Sequence, residues 1–199
     1  MTPEQAATRP RVEGDREAEI LDATIEVLVE VGYDRLTMDA VAQTAKASKA
    51  TLYRRWESKP ALVFDAVCSR KVAHPEPDTG SLRQDLIEAY CGVGAFGDSQ
   101  APAVLAAVVT AMSRDEEFAE TYRRDFIGPK IEVSRRIYQR AIERGEIPPH
   151  VDVDLLAPAA AGIVLHRVFL LGETPDADLI ARVVDHLILP AARAAVPAP

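Results

Sequence analysis

The run GYDRLTMDAVAQTAKASKATLYRRWESKPAL, residues 32–62, decides the reading of this chain. Thr37 stands where its hydroxyl can accept a backbone N–H and cap a short helix, Met38–Thr44, and Asp39 in the first turn suits the positive end of the helix dipole. Ser48 caps a second helix, Lys49–Trp56. Ser58 caps a third that opens at Lys59, where Pro60 is tolerated because first-turn N–H groups have no partner within the helix. Two very short helices joined only by Ala45-Lys46-Ala47 form a helix-turn-helix candidate. Ala40, Ala42, Ala45 and Ala47 permit close backbone approach, and Leu52 and Trp56, four apart, share the face that packs the second helix onto its neighbours. At about 100° per residue, Ala50, Thr51 and Arg54 point away from that face, with Lys49, Tyr53 and Arg55 on its flanks.

Upstream, Ala18, Leu21, Ile25 and Leu28 recur at helical spacing among acidic residues, which predicts an amphipathic helix over Asp15–Val31 with Gly32 as a left-handed cap. The formal net charge of −8 looks wrong for a nucleic-acid binder until it is divided by position. Residues 1–72 hold 11 Lys and Arg against 12 Asp and Glu, whereas residues 73–199 hold 12 against 19. Within residues 45–59, Lys46, Lys49, Arg54, Arg55 and Lys59 stand against Glu57 alone. Phosphate responds to the field at the groove rather than to the molecular average.

The blocks Gly32–Ala42 and Ala47–Leu62 resemble the DNA-binding domain of TetR-family regulators, over roughly residues 15–66. The resemblance implies an all-α fold: a three-helix helix-turn-helix head joined by a linking helix to a larger helical bundle that binds ligand and dimerises. The expected division is a flexible leader over 1–12, the head over 13–58, the ligand-binding and dimerisation domain over 59–194, and a flexible tail over 195–199. Carried over by position, Thr37, Tyr53 and Lys59 are implied phosphate contacts, and Lys49, Ala50, Thr51 and Arg54 are candidates for base edges or methyl groups. Ser48 can bond phosphate as well as cap, and Arg55 can do either. For Tyr53, packing on the helix flank competes with DNA contact. Lys46 departs from the glycine usual at the turn, at about 1 kcal/mol if the backbone there is left-handed; Ala50 replaces another common glycine. Arg9, Arg11 and Arg16 offer a minor-groove arm, against the simpler reading of a polar leader.

Beyond the head, Lys59–Ala73 reads as the linking helix and residues 74–80 as a loop. Ser81-x-x-Gln84 and Ser113-x-x-Glu116 have the capping-box pattern. The apolar stretch Pro102–Met112 is expected to be buried, and Gly128-Pro129 to break the chain. Asp152 or Asp154 starts a helix that stops at Gly172, Thr174-Pro175 opens the next, and Pro190 ends or kinks it. The runs Pro77–Leu86 and Arg140–Glu146 resemble one recurrent subclass of TetR C-terminal domain.

One small head makes too few contacts for tight specific binding, so paired heads should meet half-sites ~34–36 Å apart or a multiple of that. Ala157, Ala161, Leu165, Val168, Phe169, Leu179, Val183 and Leu187 are the candidate homodimer surface, with an internal core as the competing reading. Tyr90, Val108, Met112, Tyr122, Phe126 and His166 are candidate lining for a small-molecule effector, again against plain core packing. No Ser/His/Asp grouping, phosphate-cradling glycine loop or HExxH is present, and Cys68 and Cys91 lack metal-ligand spacing, so neither an enzyme nor a cofactor or metal is expected. No signal peptide or uninterrupted apolar run of membrane-spanning length is read, which makes the cytoplasm the default location. The expected function is a repressor released from a palindromic operator by a small molecule. The alternative is a ligand-binding helical dimer whose operator binding is weak or lost.

Overall fold

The computed structural model describes residues 13–70, 76–91 and 100–194, so the leader 1–12 and the tail 195–199 lie outside the described residues, as do Arg9 and Arg11. Every regular element among the described residues is a helix, and the chain divides into two compact units between Ser69 and Arg70.

The first unit contains α1 (Glu13–Arg35), α2 (Met38–Thr44), α3 (Lys49–Arg55) and α4 (Lys59–Ser69). Ile20, Ile25, Val27 and Leu28 of α1 bury against α2 and α4, whose Leu62, Val63 and Ala66 are fully buried. That burial carries the unit past the boundary expected at residue 58, through Ser69. Gly32 interrupts α1 at φ 77°, ψ 168°, a conformation nearly restricted to glycine, rather than the compact left-handed cap expected. Thr37 Oγ1 accepts from Ala40 N at 3.1 Å and Ser48 Oγ from Thr51 N at 3.1 Å, so both short helices start where their caps predict. Between them Lys46 has φ 50°, the left-handed geometry that glycine takes more cheaply. This geometry lets Lys46 N and Ala47 N turn back onto Gln43 O and Ala42 O at 3.1 and 2.8 Å.

The second unit contains α5 (Leu82–Cys91), α6 (Ala101–Arg114), α7 (Glu116–Tyr122), α8 (Gly128–Glu143), α9 (Val153–Leu156), α10 (Ala159–His166), α11 (Ala177–Val183) and α12 (Leu189–Arg193). Its core joins Leu82 and Leu86 of α5, Ile137, Tyr138 and Ala141 of α8, and Ile180, Val184 and Ile188 near the C-terminal end. Three π-helical turns, Arg123–Ile127, Arg167–Leu171 and Val184–Ile188, are built into these rods. Two of them run directly into Gly128-Pro129 and Leu189-Pro190. A proline cannot donate to the ladder and crowds the preceding turn, and widening that turn lets the helix pass. The break expected at Gly128-Pro129 therefore does not occur: α7, the π turn and α8 are continuous from Glu116 to Glu143.

Several caps also move. The N-terminus of α5 is closed by the Glu146 carboxylate, which accepts from Leu82 N at 3.0 Å, while Gln84 instead donates to Glu88. Asp115, not Ser113, caps α7, and Asp176, not Thr174, caps α11, each carboxylate accepting the N–H three residues on. Asp152 does cap α9, and the left-handed Gly172 closes the rod that ends at Leu171. Pro102–Met112 is helical but buries only Ala107, Val108 and Ala111, so the expectation of a wholly buried segment is corrected.

Candidate nucleic-acid interface

Within α3 only Leu52 is buried, and with Trp56 just after the helix it anchors α3 into the head. Their combined burial is worth about 4–6 kcal/mol before the entropy of ordering is subtracted. The Trp56 Nε1–H donates to Asp65 Oδ2 of α4 at 2.8 Å, which fixes the end of the stub. With one face so tethered, Ser48, Lys49, Ala50, Tyr53, Arg54 and Arg55 are exposed, as is Thr37 at the start of α2. Tyr53 stands 54% exposed, which removes flank packing as its role within the unit. Thr51 is half-buried, its hydroxyl 2.8 Å from Ser48 Oγ.

The cations of this face differ in their freedom. Lys49 Nζ donates to Asp39 Oδ2 at 2.6 Å, a link from α3 back to α2. Arg55 makes two bonds to Glu17 of α1, at 3.0 and 3.3 Å; this hydrogen-bonded carboxylate raises the guanidinium pKa, and the group also lies 5.9 Å from the Trp56 ring centre. Lys59 Nζ donates to Tyr33 O at 2.8 Å and lies 4.2 Å from the Tyr33 ring centre. Arg54 and Lys46 direct side chains that bond nothing among the described residues. Arg16 belongs to α1 rather than to an arm: its Nη2 donates to Lys46 O at 2.6 Å and pins the turn.

The sequence matches two family models in succession: bacterial regulatory proteins of the tetR family over residues 20–66, and the tetracyclin repressor-like C-terminal domain over residues 76–187. The chain belongs to the TetR family of transcriptional regulators. It is 39% identical over 189 residues to an uncharacterized HTH-type transcriptional regulator of Mycobacterium tuberculosis, covering 92% of this chain and 91% of that one. It is 35% identical over 176 residues to the DNA-binding transcriptional repressor TetR of Mycobacteroides abscessus, covering 87% and 92%. Among solved structures, a TetR family transcription regulator superposes with a TM-score of 0.61 at 30% identity, covering 87% and 97%. These relatives are regulators, and this TetR-family chain is a DNA-binding regulator rather than an enzyme.

Phe118, Tyr122 and Phe126 stack along one rod face, with ring centres 5.7 and 4.6 Å apart, and Lys130 Nζ lies 4.1 Å from the Phe126 centre. Phe118 lies four residues before Tyr122 and Lys130 four after Phe126, so the helical period places both on this face beside the two expected aromatic residues. Tyr90 donates from its hydroxyl to Ala157 O, and burial pushes its pKa up to about 12. Val108 is core, Met112 is half-buried, and His166 is exposed on α10.

Of the dimer candidates, Ala161, Leu165, Phe169 and Leu187 are exposed, and Ala157 and Val168 are half-buried. Leu179 and Val183 belong instead to the unit's own core and are corrected accordingly, since α11 turns them onto α5. Residues Val153–Leu171 are long and apolar enough by length and composition to cross a membrane, and only 6% of the residues in their most apolar stretch are buried. Asp154 and Arg167 interrupt the segment, which is therefore not an uninterrupted apolar run, and Arg167 pairs with Glu173.

Proposed function

We propose that this regulator represses transcription by binding a palindromic operator as a homodimer, and that a small molecule held in the C-terminal unit releases it. The observation that carries the reading is the tethered, outward stub: Leu52 is fully buried while Ser48, Lys49, Ala50, Tyr53 and Arg54 face solvent. A helix held in this way can enter a major groove with its N-terminal residues at the base edges, while capping hydroxyls and lysines meet the backbone. The lysine of a side chain already bonded to a carbonyl, as Lys59 is to Tyr33 O, keeps two further N–H donors for phosphate.

The exposed side chains of Leu155, Leu165, Phe169, Leu170 and Leu171 support dimerisation, because large apolar side chains gathered on one exposed segment favour a partner face. The stacked Tyr122 and Phe126 support an apolar effector. Release then follows if the effector favours a head spacing that fits the operator poorly. The test is a mobility-shift titration against the DNA upstream of its own gene, with random duplex as competitor. Preferential retention of the upstream fragment is expected, and equal competition by random duplex would reject operator recognition.

A further inference from the structure

On the exposed face of α3 and its flank, two of the three cations are already paired, each with a carboxylate from a different helix of the head. Lys49 Nζ and Asp39 Oδ2 of α2 are 2.6 Å apart, and Arg55 reaches Glu17 of α1 at 3.0 Å; Arg54, between them, bonds nothing among the described residues. We propose that Asp39 is a specificity-determining positioning residue, which holds Lys49 neutralised so that the face of α3 has one cation fewer to spend on DNA of arbitrary sequence and Arg54 is left to engage its site. The inference rests on the DNA-binding reading above.

Non-specific affinity grows with the number of phosphates neutralised, because each releases counterions. A lysine satisfied by its own carboxylate contributes nothing to that count until the pair opens. At 64% and 52% exposure the pair is worth too little to resist a well-placed partner, so an operator that offers Lys49 a good acceptor can open it. The pair therefore taxes random phosphate contact without blocking a specific one. Asp39 is not needed to start α2, since Thr37 caps that helix through Ala40 N.

The experiment measures binding of the full chain to a random-sequence duplex as a function of salt. Asp39→Asn should bind about twofold to fivefold more tightly per head, with a log–log salt slope steeper by about 0.9 per head. In a Lys49→Ala background the same Asp39→Asn change should do nothing, because Asp39 acts through Lys49. An equal gain in both backgrounds would mean simple repulsion of phosphate by the carboxylate and would overturn the proposal, as would no gain in either. Asp39→Glu gives an independent reading: it keeps a carboxylate for Lys49 and should leave the random-duplex affinity and slope near the wild-type values, and a gain equal to that of Asp39→Asn would overturn the proposal. Retention of upstream DNA by the wild type separates failure of this inference from failure of the operator reading.

Discussion

The Trp56 indole N–H donates to the Asp65 carboxylate at 2.8 Å, so the residue that ends α3 is tied to the middle of α4. A hydrogen bond to a charged acceptor in a part-buried site contributes about 1–3 kcal/mol. Asp65→Ala should lower head stability by about that amount. Trp56 is the sole tryptophan, so its fluorescence during urea unfolding reports the head directly. An unchanged midpoint would mean that packing alone holds the stub.

Lys46 occupies the turn at φ 50°, where a side chain is strained. Lys46→Gly should stabilise the head by about 0.5–1 kcal/mol, read by the same unfolding transition. A loss of stability would show that the Lys46 stem packs more usefully than its backbone is strained.

How much of this was legible follows from the range of each interaction. The caps Thr37 and Ser48, the anchors Leu52 and Trp56 and the strain at Lys46 are local, and a sequence displays local chemistry. The carboxylates that pair with Lys49 and Arg55 come from Asp39 and Glu17, the second of them 38 residues away, and nothing in the one-dimensional spacing points to either. The same reason accounts for Glu146 closing α5 from 64 residues away, where a capping box was expected. Gly128-Pro129 failed as a break for a different reason: a π turn absorbs the missing donor, and no residue type announces one.

Arg54 and Lys59 should separate in their effects on DNA. Arg54→Ala should relax preference at one operator position by about 1–3 kcal/mol and leave the other positions alone. Lys59→Ala should weaken binding to all sequences alike and flatten the salt slope by about 0.9 per head. Competition assays over a set of single-base operator variants distinguish the two. Unaltered base preference removes Arg54 from the readout, and an unaltered slope removes Lys59 from the phosphate contacts.

Glu76 receives hydrogen bonds from Arg136 at 2.6 Å and Arg140 at 2.7 Å, which hold its carboxyl down at about 2. Because the folded value is depressed, the stabilisation is complete above the ordinary glutamate range and is lost as pH falls from about 4.5 through about 2. The arginines are partly solvated, so the contribution is about 1–2 kcal/mol rather than the full value of the shift. Glu76→Gln should therefore destabilise the protein at pH 6 and make little difference near pH 2, as followed by circular dichroism during urea unfolding. A mutant deficit that persists undiminished at low pH would assign the loss to packing.

The rod Val153–Leu171 sets the final expectation, since Leu165, Phe169 and Leu170 stand 38%, 39% and 72% exposed on it. Transferring such side chains from water to a partner face gains about 25 cal/mol per Å² of apolar surface, and a charge placed among them must be desolvated without a counterion. Leu165→Glu combined with Phe169→Glu should therefore shift the protein from dimer to monomer in sedimentation velocity, while the helical circular dichroism is retained, because neither side chain belongs to the C-terminal core. The same variant should lose upstream DNA binding far more than Leu179→Ala does at equal folded fraction, since Leu179 packs inside one subunit. A double variant that still sediments as a dimer would place the interface elsewhere and leave the apolar rod to cover a different partner or a lipid surface.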